Sequence, residues 1–100
     1  MYTQKQILDF ISVNKTLLNQ QFHISKIGLF GSYARNEQTI SSDIDLIVDF
    51  EENTPDLFDI KIGISRFFKE NLNLEVDICR EKYIKPRYKN RIIKEAIYVD

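Results

Sequence analysis

One hundred residues, 43% hydrophobic and 29% charged, amount to a single folding unit spanning 1–100, with proportions that exclude a disordered or fibrous chain. No apolar run approaches a membrane span, the opening Met1-Tyr2-Thr3-Gln4-Lys5-Gln6 lacks the layout of an export signal, and one cysteine with one histidine leaves no internal disulfide and almost no scope for zinc clusters or histidine relays. The net charge of −1 conceals an acidic middle, with eight acids and no Lys or Arg from Asn36 to Ile60, and a basic stretch of seven Lys/Arg against Glu81 from Arg80 to Lys94.

Thr3 and Gln6 have the form of a capping box, and Ile7, Leu8, Ile11, Leu17 and Leu18 then recur at helical spacing, which predicts a first helix to about Gln21. Ile24 to Phe30 reads as a strand, with Gly28 where something packs close to the backbone. Gly31-Ser32 ends it, and Tyr33-Ala34-Arg35 opens a short helix. Asp43 to Phe50 reads as a second strand, because Ile44, Leu46, Val48 and Phe50 supply one apolar face. Thr54-Pro55 predicts a helix start, with Leu57, Ile60, Ile64, Phe67 and Phe68 as the buried stripe and an end near Asn71 to Asn73. Leu74 to Ile78 is a third strand, expected to be buried apart from Asp77. Pro86 starts a last helix that turns Ile92, Ile93, Ala96 and Ile97 inward and its bases outward, with Tyr83, Tyr88 and Tyr98 packed along it. The predicted class is α/β (α+β): a small mixed three-stranded sheet flanked by helices, in the order α-β-α-β-α-β-α.

Two features work against a stable sheet. Asp43 and Asp45, two apart on one strand, leave from the same face and repel each other. Asp77 adds a third carboxylate within an otherwise apolar strand. Three converging acids are costly, or take up protons, unless a cation compensates. Hard oxygen ligands of this kind suit Mg²⁺, which favours a few carboxylates plus substrate phosphates, and two such ions can clamp an in-line phosphoryl displacement. Gly31-Ser32 supplies the complement: a glycine after a strand lets backbone approach a ligand, and the helix opening there offers free amides to phosphate. Each piece has a plainer reading, as a turn at Gly31-Ser32, a turn former at Asp43 and a tolerated edge charge at Asp77. Only their conjunction favours chemistry.

Gly31-Ser32-Tyr33-Ala34-Arg35, then Ser42-Asp43-Ile44-Asp45-Leu46, then Val76-Asp77-Ile78 resemble the DNA polymerase β-type nucleotidyltransferase superfamily, and the short length and closing segment resemble its minimal nucleotidyltransferase group. The resemblance implies transfer of a nucleoside monophosphate from an NTP to an acceptor hydroxyl. Gly31 and Ser32 would hold the triphosphate, and Asp43 and Asp45 the Mg²⁺ ions. Asp77 would complete the metal site and orient or deprotonate the acceptor. Arg35 either approaches the phosphates or makes a surface ion pair. In this group the implied setting is an antitoxin beside a HEPN-domain ribonuclease toxin, with AMP from ATP placed on a toxin tyrosine. The other reading is a binding module that neutralises its partner by contact alone. Asn36 departs from the glycine usual after Ala-Arg, but Asn tolerates a left-handed backbone well. The basic tail is expected to be a solvated face or to meet a protein partner. It lacks the aromatic platform of a nucleic-acid binder. His23 reads as a surface histidine and Cys79 as a small apolar residue.

Overall fold

The computed structural model describes residues 1–100 as five α-helices, a short 3-10 turn and four strands: α1 (Gln4–Val13), α2 (Lys15–Phe22), β1 (Ile24–Phe30), α3 (Gly31–Ala34), β2 (Ile44–Phe50), α4 (Leu57–Leu72), β3 (Val76–Arg80), the turn Glu81–Tyr83, α5 (Pro86–Glu95) and β4 (Ile97–Val99). The sheet order is β3-β2-β1-β4, with β2 and β3 parallel and the other pairs antiparallel. The mixed α/β class is as expected, but the sheet has four strands rather than three.

The capping box forms. Gln6 N donates to Thr3 Oγ1 at 3.1 Å, and Thr3 N donates to Gln6 Oε1 at 2.9 Å. The expected single helix to Gln21 is instead broken at Asn14 (φ −97°, ψ 9°). There both the backbone N–H and the side-chain Nδ2 of Asn14 donate to the Phe10 carbonyl, at 3.2 and 2.8 Å, so the side chain competes for the helical acceptor. Asp56 adopts a left-handed conformation (φ 57°), so α4 starts at Leu57 and not at Pro55; it ends where Asn73 turns left-handed (φ 56°). α5 does start at Pro86, but it stops at Glu95. Ala96 is extended, and Ile97-Tyr98-Val99, a β-branched and aromatic run, pairs with β1. Ala96 therefore caps α5 and Ile97 opens a strand, and neither continues the helix face.

The core lies on one face of the sheet. Ile44, Leu46, Val48 and Phe50 of β2 pack beside Ile24, Ile27 and Leu29 of β1, under Ile7 and Ile11 of α1, Leu18 of α2 and Ile64, Phe68 and Leu72 of α4. Rings of Phe10, Phe22, Phe67 and Phe68 pack at 5.5–6.1 Å between centroids, edgewise in every pair but the tilted Phe10–Phe67, and lock the three helices together. The period-two alternation of β2 sends Asp45, Ile47 and Asp49 to the other face. There Gly28 lies under Tyr98, where an added Cβ would sit 2.9 Å from the ring and 3.0 Å from Ile47. β3 occupies Val76–Arg80 and is an edge strand with no fully buried residue, so its expected burial does not hold and Asp77 is exposed. No helix is long and apolar enough to cross a membrane.

Candidate active site

Strand directions gather the site. β1 runs antiparallel to β2 and β4, while β2 and β3 run parallel, so the end of β1 and the starts of β2, β3 and β4 share one end of the sheet. Asp45 is opposite Phe30 on one side and Asp77 on the other. Gly31 follows Phe30 directly, and Asp43 precedes Asp45 by two. The expected gathering of Gly31-Ser32 with three aspartates is what the topology produces.

Gly31 has a positive φ of 74° and is buried. A Cβ there would lie 2.1 Å from Asp45 Oδ2 and 2.8 Å from its Cγ, so the Asp45 carboxylate rests directly on the glycine backbone. No side chain caps the start of α3. Behind the bend, Arg35 N donates to Gly31 O (3.1 Å) and Glu37 N to Ser32 O (2.9 Å). Gln4 of α1 reaches across to donate to Tyr33 O and Ala34 O at 3.2 and 2.8 Å, and the Tyr33 side chain is fully buried. Asn36 takes the left-handed conformation (φ 57°), so the turn survives the loss of the usual glycine. Ser42 steadies the approach to β2: its Oγ accepts from Thr39 N at 2.8 Å and its N donates to Thr39 O at 3.0 Å.

Electrostatics single out Asp45. Its half-buried carboxyl is raised to about 6, chiefly by desolvation, then by the charges of Asp77 and Asp43, with Arg35 pulling the other way and Glu95 adding to the rise. Crowded carboxylates with too little compensating charge favour a divalent cation. The acids do not, however, close into a chelating cluster of three by themselves. That donor set fits Mg²⁺ arriving with a nucleotide, since Mg²⁺ takes one or two carboxylates and completes its shell with phosphate oxygens and water.

Arg35 forms ion pairs here. It donates to Glu37 through Nε (2.7 Å) and to Glu95 through a terminal nitrogen (2.8 Å). Together Arg35, Glu95 and Arg91 line an open cleft of about 380 Å³ between α3 and α5. The sequence reading has Arg91 only as one base of the tail and does not place it or Glu95 beside Arg35, because β4 escaped it. It is the pairing of Leu29 with Ile97 that carries the end of α5 to this end of the sheet, and the β-branched and aromatic run Ile97-Tyr98-Val99 was the available signal. A second hollow, between α2 and β1, holds none of these residues.

Tyr83 does not pack along α5 as expected, whereas Tyr88 does, under the guanidinium groups of Arg87 and Arg91 of that helix. The two tyrosines are 69% and 38% exposed, with guanidinium groups over their rings, and Tyr98 belongs to β4. His23 is an exposed left-handed cap of α2, and burial pushes the half-buried Cys79 thiol up, which suits its expected apolar role.

Residues 11–99 match the nucleotidyltransferase domain family. The chain is similar to the protein adenylyltransferase MntA of Thermococcus cleftensis, at 33% identity over 99 residues, covering 99% of this chain and 98% of that protein. A solved "minimal nucleotidyltransferase" superposes with a TM-score of 0.78 at 26% identity, covering 96% of this chain and 95% of the other. A toxin–antitoxin crystal structure with AMP-PNP superposes at 0.67 and 20% identity, covering 87% and 70%. With the family signature spanning nearly the whole chain and the Gly-Ser bend resting against the aspartates, this protein belongs to the nucleotidyltransferase family, in its minimal form.

Proposed function

We propose that the protein transfers AMP from ATP to a hydroxyl side chain of a partner protein, a tyrosine of a HEPN-domain ribonuclease toxin, and so acts as its antitoxin. The observation that carries this reading is Asp45, seated on Gly31 and flanked by Asp43 and Asp77. Supporting it are a relative named as a protein adenylyltransferase and a fold neighbour solved as a toxin–antitoxin with AMP-PNP.

The Gly31-Ser32 bend receives the triphosphate through backbone amides and the Ser32 hydroxyl, with no Cβ at residue 31 to hold the phosphates away. Asp43 and Asp45 would hold Mg²⁺, which when bound would offset their charge and polarise the phosphate oxygens. Asp77, exposed on the edge strand, takes up or orients the acceptor's hydroxyl proton. The acceptor oxygen bonds to the α-phosphorus, the bond from that phosphorus to the bridging oxygen breaks, and diphosphate leaves.

The test is label transfer from α-labelled ATP to the partner toxin with Mg²⁺ present. Label that appears with the wild type and vanishes with Asp43→Asn/Asp45→Asn supports the reading. Undiminished protection of cells by that double variant would replace it with neutralisation by contact alone.

A further inference from the structure

The geometry points to Arg91 as the residue that receives the distal phosphates of the nucleotide, an inference that rests on the transferase reading above. The acid end of the site needs a cationic counterpart where the leaving diphosphate emerges, and Arg35, the expected candidate, is occupied. Its guanidinium faces two carboxylates, Glu37 and Glu95, at 2.7 and 2.8 Å. Those two acids outweigh its one charge, so Arg35 leaves no net positive field for an anion.

Arg91 differs on each count. It lines the same cleft of about 380 Å³ with Arg35 and Glu95, yet it takes part in none of the chain's five ion pairs. It stands four residues before Glu95 on α5, hence on the same helix face and one turn farther out. Arg35 N donates to Gly31 O at 3.1 Å, which fixes the cleft beside the bend. Tyr88 carries the guanidinium groups of Arg91 and Arg87 over its ring, at 5.7 and 4.7 Å from the centroid, which holds Arg91 along the helix without neutralising it. Along α5 the charge therefore changes from the acid Glu95 to the base Arg91 within about one helical turn. A metal-bound nucleoside triphosphate has that polarity: cation at the reacting phosphate, uncompensated negative charge on the tail. Guanidinium is well suited to paired phosphate oxygens.

The test measures ATP affinity by calorimetry with Mg²⁺ for the wild type, Arg91→Ala, Arg91→Lys and a remote control, Arg66→Ala on α4. The expected result is about a tenfold weaker binding in Arg91→Ala, a partial recovery in Arg91→Lys and no change in the control, the size typical of a lost charge-assisted hydrogen bond. Arg91 is exposed, so matched circular dichroism spectra are expected for all four proteins. Wild-type affinity in Arg91→Ala overturns the assignment while leaving the transferase reading intact. No ATP binding by the wild type itself defeats both.

Discussion

Gly31 answers to two constraints at once, a left-handed backbone and the Asp45 carboxylate lying where a Cβ would go. Gly31→Ala is therefore expected to cost about 1–3 kcal/mol of stability from backbone strain. By displacing Asp45 it is also expected to lower label transfer on the order of a hundredfold. Thermal melting and the transfer assay read the two effects separately. Asp45 supplies a pH signature. Its carboxyl, ordinarily near 3.8, titrates near 6 in the fold, so the folded state holds the proton more tightly than the unfolded chain does. Metal-free stability is then lost as pH rises from about 4 through 6 and stays lower above that. Because the group is half-exposed, solvent screening trims the effect to of order 1 kcal/mol, or about 4–8 °C in melting temperature. Asp45→Asn is expected to abolish that slope and to melt higher than the wild type at pH 7.5 without metal. A wild-type melting temperature that rises from pH 5 to 7.5 contradicts the assignment.

At the scale of elements, apolar periodicity was the legible part. The β2 face of Ile44, Leu46, Val48 and Phe50, the α4 stripe and the Pro86 helix start all stand where the pattern places them. What escaped was decided by competition that a pattern does not show. Asn14 bonds its side chain to the Phe10 carbonyl and splits one helix into two. Asp56 turns left-handed and delays α4 past Pro55. Ile97 to Val99 reads as helical when Ile92 and Ile93 precede it, and only pairing with β1 settles it as a strand. That last miss also hid where Glu95 and Arg91 lie, whereas Gly31, Asp43, Asp45 and Asp77 stand out by their local chemistry, and the topology brings them to one end of the sheet. The capping box offers a check on local order: Thr3→Ala is expected to cost about 1 kcal/mol, read as a lower melting temperature, with transfer activity otherwise unchanged. Gly28→Val is expected to be harsher, since the added atoms meet the Tyr98 ring and Ile47, and to free β4 from β1, seen as faster amide exchange over residues 97–99.

For the molecule as a whole, the consequence is division of labour. The chain folds its core on one face of the sheet and gathers acids, bend and cleft at one end. On the proposed reading those acids would repel an incoming triphosphate as they repel one another, so nucleotide affinity is expected to depend on Mg²⁺. The most direct measurement is ATP affinity with and without Mg²⁺, compared between the wild type and Asp43→Asn/Asp45→Asn. The account expects wild-type affinity to rise at least about tenfold on adding Mg²⁺, as one charge-assisted contact or more is gained, and the double variant to show no such rise. Equal wild-type affinity in chelator and in Mg²⁺, or a Mg²⁺ effect that persists in the double variant, would contradict it.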